Sequence, residues 1–368
     1  MMFDASVLRP GEKGVARYVH GLLSEIAQIA PRDISVMAFA PSWACMNYAH
    51  WSPVVQWEEI PNGSQHLWRL LGLPIQARSV AAKLVHVPIE NPVGPLSVPL
   101  VLTVHENPAW RHRLVSPCDI TFKERFSNYV TERLTPNTAR RASQILAVSQ
   151  TVAESIQMSW NLDASRVTVT HEAADERFFR ATPDDAIVSE ADDGYVLTFA
   201  TGDPREDFET VFAAYSAVQP REVLCVAGKH SRSAALRSAA DRHGILDRCR
   251  LIGYVPEKEL HTLYASATIY VDMSVFEGFG LQVIEAMAAG APLLVSDLPV
   301  LREVAVDSAI FVPPRDATAL ASAFRSLLSN MELRANLSAR ARTRARGFSW
   351  RRCAEQTISA YRQVLGTG

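Results

Sequence analysis

The second half of this chain alternates short apolar runs with helical patterns, and few folds accept that order. Residues 195–200, 223–227, 250–253, 268–272, 292–296 and 309–312 read as strands buried on both faces. Between them, residues 207–218, 231–243, 257–266 and 281–289 carry apolar side chains at helical spacing. A parallel strand pair needs a long crossover, and a helix supplies it, so the pattern predicts a parallel sheet covered on both faces. The first half alternates less regularly. Strands are expected within 2–5 and at 34–39, 84–87, 100–104, 145–148 and 167–170, with helices at 14–30 and 120–142. From 317 to 365 the pattern is nearly all helical.

Two such halves imply two domains, as does the length of 368 residues. The expected boundary is the acidic stretch 181–194, ATPDDAIVSEADDG, punctuated by Pro183 and Gly194. That gives domains 1–180 and 181–368. A formal net charge of -2, with 21% charged residues, lacks the basic excess of a dedicated nucleic-acid binder. Five scattered cysteines without a C-x-x-C show no zinc or disulfide framework, and read as small buried hydrophobes in a reducing compartment. Residues 1–10 lack a secretory signal, and no uncharged apolar run approaches the ~18 residues of a membrane span. A cytoplasmic location is expected.

Ligands of open α/β sheets bind beyond the carboxyl ends of the strands, so chemistry is sought there. The most informative segment is 274–297, SVFEGFGLQVIEAMAAGAPLLVSD. Glu277 follows a strand, Gly278, Phe279 and Gly280 form a tight loop, and a helix starts near Leu281. Backbone N–H groups and the helix dipole there favour an anion such as phosphate. Glu285 sits inside an otherwise apolar helix. A buried carboxylate needs hydrogen-bond donors, which ribose hydroxyls, an arginine or backbone N–H groups would each provide.

Glu277 and Glu285, with seven residues between them, match the E-x7-E motif of retaining glycosyltransferases of family four, and FEGFGLQVIEAMAAGAPLLVSDLPVLREV resembles that family's donor-site signature almost throughout. LIGYVPE at 251–257, LYASATIYVD at 263–272 and FSWRRCAEQTISAY near the C-terminus are similar to neighbouring family segments. In the first half, GVARY at 14–18 resembles the G-I-G-R-Y loop of the mannosyl- and rhamnosyl-transferase-like branch. Residues 104–106 resemble its H-D element, with Glu106 in place of the aspartate, and 148–150 its V-S-x segment.

The resemblance implies a GT-B fold: two Rossmann-like domains with an interdomain cleft, the final helix (about 349–365) packing back on the first domain. It implies transfer of a hexose or deoxyhexose from a nucleoside diphosphate sugar, with retention and without cofactor or metal, to a glycan or lipid-diphosphate glycan. Carried over, Glu285 would hold the ribose, and Glu277 would act at the donor sugar. The N–H groups of Gly278, Phe279, Gly280 and Leu281 would hold sugar and β-phosphate. Gly253, Tyr254 and Val255 would border the base, and His105 would face the sugar from the first domain. Gly14 and Arg17 become candidates on the diphosphate or acceptor side. The basic, aromatic cluster Trp110–Arg113, with Lys123 and Arg125, reads as a solvated surface or as peripheral contact with anionic lipid head groups.

One departure matters. Where the branch carries a P-R-K-N-like segment, this chain has Pro204, Arg205, Glu206 and Asp207. Arg205 remains to meet the diphosphate, glutamate replaces the lysine, and Lys229 is a candidate substitute. The acidic residue motivates the alternative of a non-catalytic GT-B partner. A nucleotide-sugar epimerase is a third reading.

Overall fold

The computed structural model describes the chain except residues 11–13, 52, 62, 115–121, 184–192 and 367–368, together with the side chains of 112–127. The described residues form two compact units. Among the described residues, the first draws on 1–113, 122–172 and 349–366, and the second on Leu114 and 173–348.

The first unit holds a seven-stranded sheet, β1 (Met2–Asp4), β2 (Val36–Ala40), β3 (Val55–Glu59), β4 (Val85–Val87), β5 (Leu100–Val104), β6 (Gln144–Ala147) and β7 (Val167–Val169), in the order β3-β2-β1-β4-β5-β6-β7. All its pairs are parallel. Strand β3 was not expected from sequence. As an edge strand it buries little beyond Val55, and VQWEE offers no apolar run to detect. The helix Trp350–Leu365 completes this unit by packing on the helix Val15–Ile29. Gly21 makes the approach feasible, since a Cβ there would lie 2.5 Å from the Trp350 indole. Arg362 pairs with Asp33 at 2.7 Å nearby.

The second unit holds β8 (Tyr195–Phe199), β9 (Val223–Ala227), β10 (Cys249–Gly253), β11 (Ile269–Asp272), β12 (Leu293–Ser296) and β13 (Ile310–Val312), in the order β10-β9-β8-β11-β12-β13 and again parallel. Its core joins Val196, Leu224, Val226, Ile269, Val271 and Leu294 of the sheet to Phe212, Tyr215, Leu320 and Phe324 of the helices. Residues 173–180 already pack with this unit. The short helix Glu176–Phe179 packs on the helix Leu281–Ala289, and buried Phe178 meets Tyr264 edge-on at 5.9 Å. Residues 184–192 of the expected boundary stretch lie outside the described residues.

Each sheet has one point where strand order reverses, between β1 and β4 in the first and between β8 and β11 in the second. Connections leave such a point towards opposite faces, which opens a crevice at the strands' carboxyl ends. Among the described residues, no helix is long and apolar enough to cross a membrane.

Candidate functional site

In the second unit, the turn after β8 and the loop after β11 meet at the reversal point. They are pinned together through the backbone: Glu206 and Ser274 form an antiparallel bridge, and Val275 N–H donates to the Arg205 carbonyl at 2.9 Å. Asp272 braces the second loop, accepting from Ser274 N–H at 3.1 Å and from its hydroxyl at 2.7 Å. Tyr270 donates to the other carboxylate oxygen at 3.2 Å.

Glu277 is nearly buried and lies 3.3 Å from Arg205 Nε. The Arg205 guanidinium also stands over the Phe276 ring at 5.9 Å. Burial pushes the Glu277 carboxyl up to about 8. Arg205 and a Ser274 hydrogen bond pull it down, while Asp272 and Asp203 add to the rise. At neutral pH this side chain is therefore mostly the protonated acid, able to donate as well as accept a hydrogen bond.

Gly278, Phe279 and Gly280 are buried, and Phe279 packs edge-on against Phe348 at 5.7 Å. Gly280 caps the helix Leu281–Ala289 at φ 92°, in the left-handed region. A side chain there would meet Leu301 at 2.8 Å, so glycine lets the loop turn directly into the helix. Glu285 is 1% exposed, and Tyr264 donates to it at 3.3 Å. Lys229 is exposed on the turn after β9. Beyond β10, Tyr254 is 48% exposed while Val255 is buried.

Glu206 points neither at solvent nor at the Arg205–Glu277 pair. It turns back on its own loop, where Thr201 N–H donates at 2.8 Å and Gly202 N–H at 3.2 Å. The Thr201 hydroxyl donates to the same carboxylate. Burial raises its pKa to about 7, against the lowering effect of the Thr201 bonds, Arg205 and Gly202.

In the first unit, His105 follows β5. Its Nδ1 lies 2.9 Å from Glu172, its Nε2 lies 2.9 Å from the Pro88 carbonyl, and Tyr18 meets the ring edge-on at 4.8 Å. Both ring nitrogens face acceptors, so both are suited to carry protons. Burial opposes the charge, but Glu172, Glu90 and the Pro88 bond outweigh it and raise the imidazole pKa. Glu90 also accepts from the His105 backbone N–H at 2.8 Å. Beneath them runs a buried polar chain: Tyr361 hydroxyl to His86 Nδ1 at 2.6 Å, His86 Nε2 to Thr103 at 2.7 Å, and Thr103 to Tyr18 at 3.1 Å. Burial drops the His86 pKa to about 3, so its ring is neutral.

Glycosyltransferase Family 4 matches residues 13–178, and Glycosyl transferases group 1 matches residues 182–344. The chain belongs to the family-four glycosyltransferases. Over 231 residues this family member is 30% identical to O-antigen chain mannosyltransferase B of Escherichia coli, covering 60% of this chain and 61% of that relative. It spans less than two thirds of the length of such curated relatives. Sucrose-phosphate synthase from Thermosynechococcus elongatus shares its fold with TM-score 0.79 at 19% identity, covering 100% of this chain and 99% of that one. Anabaena HepE in complex with UDP-glucose gives 0.75 at 16% identity, with 98% and 99% covered. These matches establish two Rossmann-like domains of the GT-B type.

The transferase fold thus gathers Arg205, Glu277 and the Gly278–Gly280 loop at one sheet end, and His105 belongs to the other sheet. Gly14 caps the helix Val15–Ile29 at φ 66°, and Arg17 is buried on that helix. Residues 11–13 and the side chains of His112, Arg113, Lys123 and Arg125 lie outside the described residues. Arg111 of the basic cluster is held by Glu106 at 2.6 Å. Sequence reading missed Glu90, Glu172 and Asp272. Each is an acidic residue at or just beyond a strand's carboxyl end, and the rule that found His105 reaches them too when applied to every such position.

Proposed function

We propose that this chain is a retaining hexosyltransferase that takes a hexose or deoxyhexose from a nucleoside diphosphate sugar. The observation that carries the reading is the Arg205–Glu277 pair at the reversal point of the second sheet, followed directly by the Gly278–Gly280 loop and a helix N-terminus. The cation and the N–H groups suit a diphosphate leaving group, whose charge grows as the glycosidic bond breaks. A mostly protonated Glu277 suits sugar hydroxyls. Glu285, on the same helix, is assigned the ribose, and Tyr254 with Val255 the base. Within the first unit, His105 is raised towards its cationic form and is a separate candidate for a role in transfer. The mannosyltransferase relative supports a mannosyl-type donor and a glycan acceptor in polysaccharide synthesis; a lipid-linked acceptor and a cytoplasmic place at a membrane belong to the same proposal. The chemistry of this reading needs neither metal nor cofactor, because protein cations and N–H groups do the stabilising.

Peripheral membrane contact belongs to the same proposal. Leu67, Leu71 and Ile75 are 59%, 62% and 64% exposed at four-residue spacing along a continuous helical stretch. No acidic residue occurs between Glu59 and Glu90, and Arg78 and Lys83 are exposed there. An apolar stripe beside basic residues fits an anionic lipid surface.

Calorimetric titration with UDP, GDP and their sugars tests the reading. Glu285→Ala is expected to weaken nucleoside diphosphate binding about tenfold, or ~1.4 kcal/mol, and Glu277→Ala much less. Equal binding by wild type and Glu285→Ala removes the ribose assignment. A wild type that binds none of the nucleotides favours the non-catalytic partner, the reading that the acidic residue at 206 motivates.

A further inference from the structure

Most of the second unit's site fits an anionic ligand, yet the turn after β8 already contains an anion. Two consecutive backbone N–H groups, Thr201 and Gly202, point at one place, and the Thr201 hydroxyl joins them. Consecutive N–H groups in such a turn form a concave anion site. Its occupant is the Glu206 carboxylate: Thr201 N–H lies 2.8 Å from one oxygen and 3.1 Å from the other, and Gly202 N–H lies 3.2 Å from the second. Gly202 adopts φ +88°, and a Cβ there would come within 2.6 Å of the His230 ring, so both its backbone and the close neighbour demand glycine.

The turn is compact and held from two sides. The Glu206–Ser274 bridge and the bond from Val275 N–H to the Arg205 carbonyl fix the backbone of 205–206 against the loop that carries Glu277. The carboxylate can therefore leave the N–H groups by side-chain rotation, without unfolding the turn. Burial opposes its charge, while the Thr201 and Gly202 donors and Arg205 favour it. From its own turn it meets Asp203, Arg205 and Asp207. On the β11 side Asp272 lines the same small cavity as Glu206, and His230 of the β9 turn lies against Gly202. Arg205, the nearest cation in sequence, is engaged with Glu277.

We propose that the Thr201–Gly202 turn is a phosphate cradle for the nucleoside diphosphate and that Glu206 is its built-in competitor, which an incoming phosphate must displace. This rests on the sugar-nucleotide reading above and adds to it a second phosphate contact and an intrinsic limit on affinity. The lysine-to-glutamate exchange thereby acquires a physical role. It replaces a group that attracts the diphosphate with one that imitates it.

The test follows the backbone N–H resonances of Thr201, Gly202 and Gly280 by NMR while pyrophosphate, and separately UDP and GDP, are added to the full chain. Wild type should show Thr201 and Gly202 shifting only at high concentration. Glu206→Ala should shift them at about tenfold lower concentration. Glu206→Gln keeps the shape and one acceptor but no charge, and should fall between; it carries the test should the alanine variant fail to fold. If the Thr201 and Gly202 signals of both variants ignore pyrophosphate and nucleotides while Gly280 responds, the cradle is wrong and the sugar-nucleotide site survives. If Gly280 also ignores every nucleotide, the broader reading fails with it. If wild type and both variants shift Thr201 and Gly202 at the same concentration, the cradle stands but Glu206 does not compete, which overturns the proposal.

Discussion

At the carboxyl end of the first sheet one imidazole pairs with Glu172 while the same residue's backbone N–H donates to Glu90; at that of the second, one guanidinium faces Glu277 with Glu206 and Asp272 close by. Both ends set a single cation among acids, with opposite results. In the first, the charge that gains is the cation's: His105 is raised by its neighbours and lacks a free ring nitrogen. In the second, burial raises both Glu277 and Glu206, and Asp272 and Asp203 add to the rise at Glu277, so both acids are pushed towards neutrality. The lesson concerns spare capacity. The first end has used its hydrogen bonds internally and is suited to present a fixed charge. The second keeps protonated carboxyls and an arginine whose partner is weakly ionised, groups that a charged ligand can rearrange.

The comparison breaks most visibly at Glu277. Glu277→Gln should lower turnover on the order of a hundredfold, as loss of one preorganised polar group at a reaction centre does, while nucleoside diphosphate affinity changes less than about threefold. Steady-state rates beside calorimetry check it. A parallel loss of both would make Glu277 a general binding group.

Glu172→Gln probes the first end. It removes the negative partner of a buried cation, and should cost about 1–3 kcal/mol of stability in urea unfolding. The His105 pKa, followed by NMR, should fall. An unchanged pKa would mean that Glu90 alone supports the charge.

Stability against pH separates the two ends. Glu277 and Glu206 bind protons more tightly folded than unfolded. Between about pH 4.5 and 8 the native state therefore holds more protons, and stability falls as pH rises, by at most ~1.4 kcal/mol per unit for each group. Glu277→Gln and Glu206→Gln should flatten that window. His105, also raised, contributes stability that is complete below its unfolded pKa of about 6.5 and lost as pH rises through its folded value. Glu172→Gln should flatten only this upper range. Urea titrations at pH 5, 7 and 8.5 decide between the windows.

The smallest effect is expected from metal removal. EDTA should leave transfer unchanged if, as proposed, Arg205 and backbone N–H groups stabilise the leaving group. Loss of activity, restored by magnesium, would add a metal to the second end.

Much of the fold was legible because parallel strands buried on both faces must be apolar throughout. Tyr195–Phe199, Val223–Ala227 and Ile269–Asp272 stand within a residue of the positions their composition gives. Val55–Glu59 escaped because an edge strand has no such requirement. The Glu277 loop was legible too, since glycine–phenylalanine–glycine between a strand and an apolar helix has few other uses. The direction taken by Glu206 was not. Whether a carboxylate seeks solvent or folds onto N–H groups two turns of chain away depends on the shape of 201–206, and that shape depends on Gly202 meeting His230 and on the bridge to Ser274. The partners of His105 were hidden for a similar reason: Glu90 and Glu172 lie far apart in the chain and are gathered only by the sheet.

The first unit is closed by a helix that arrives last. Trp350 rests on Gly21, Tyr361 supplies the hydroxyl that faces buried His86, and Cys353 is wholly enclosed. During synthesis the stretch from Ala173 to Phe348 must emerge before that helix does, which at ribosomal speed takes roughly ten to thirty seconds. Throughout that interval the earlier-made residues lack the lid on Gly21 and the partner of His86. Nearly all of the second unit comes from the single stretch Ala173–Phe348, which needs nothing from that helix. A released chain that ends just before Ser349 should therefore carry a protease-resistant second unit beside a still-labile first one, so that the order of completion runs against the order of translation.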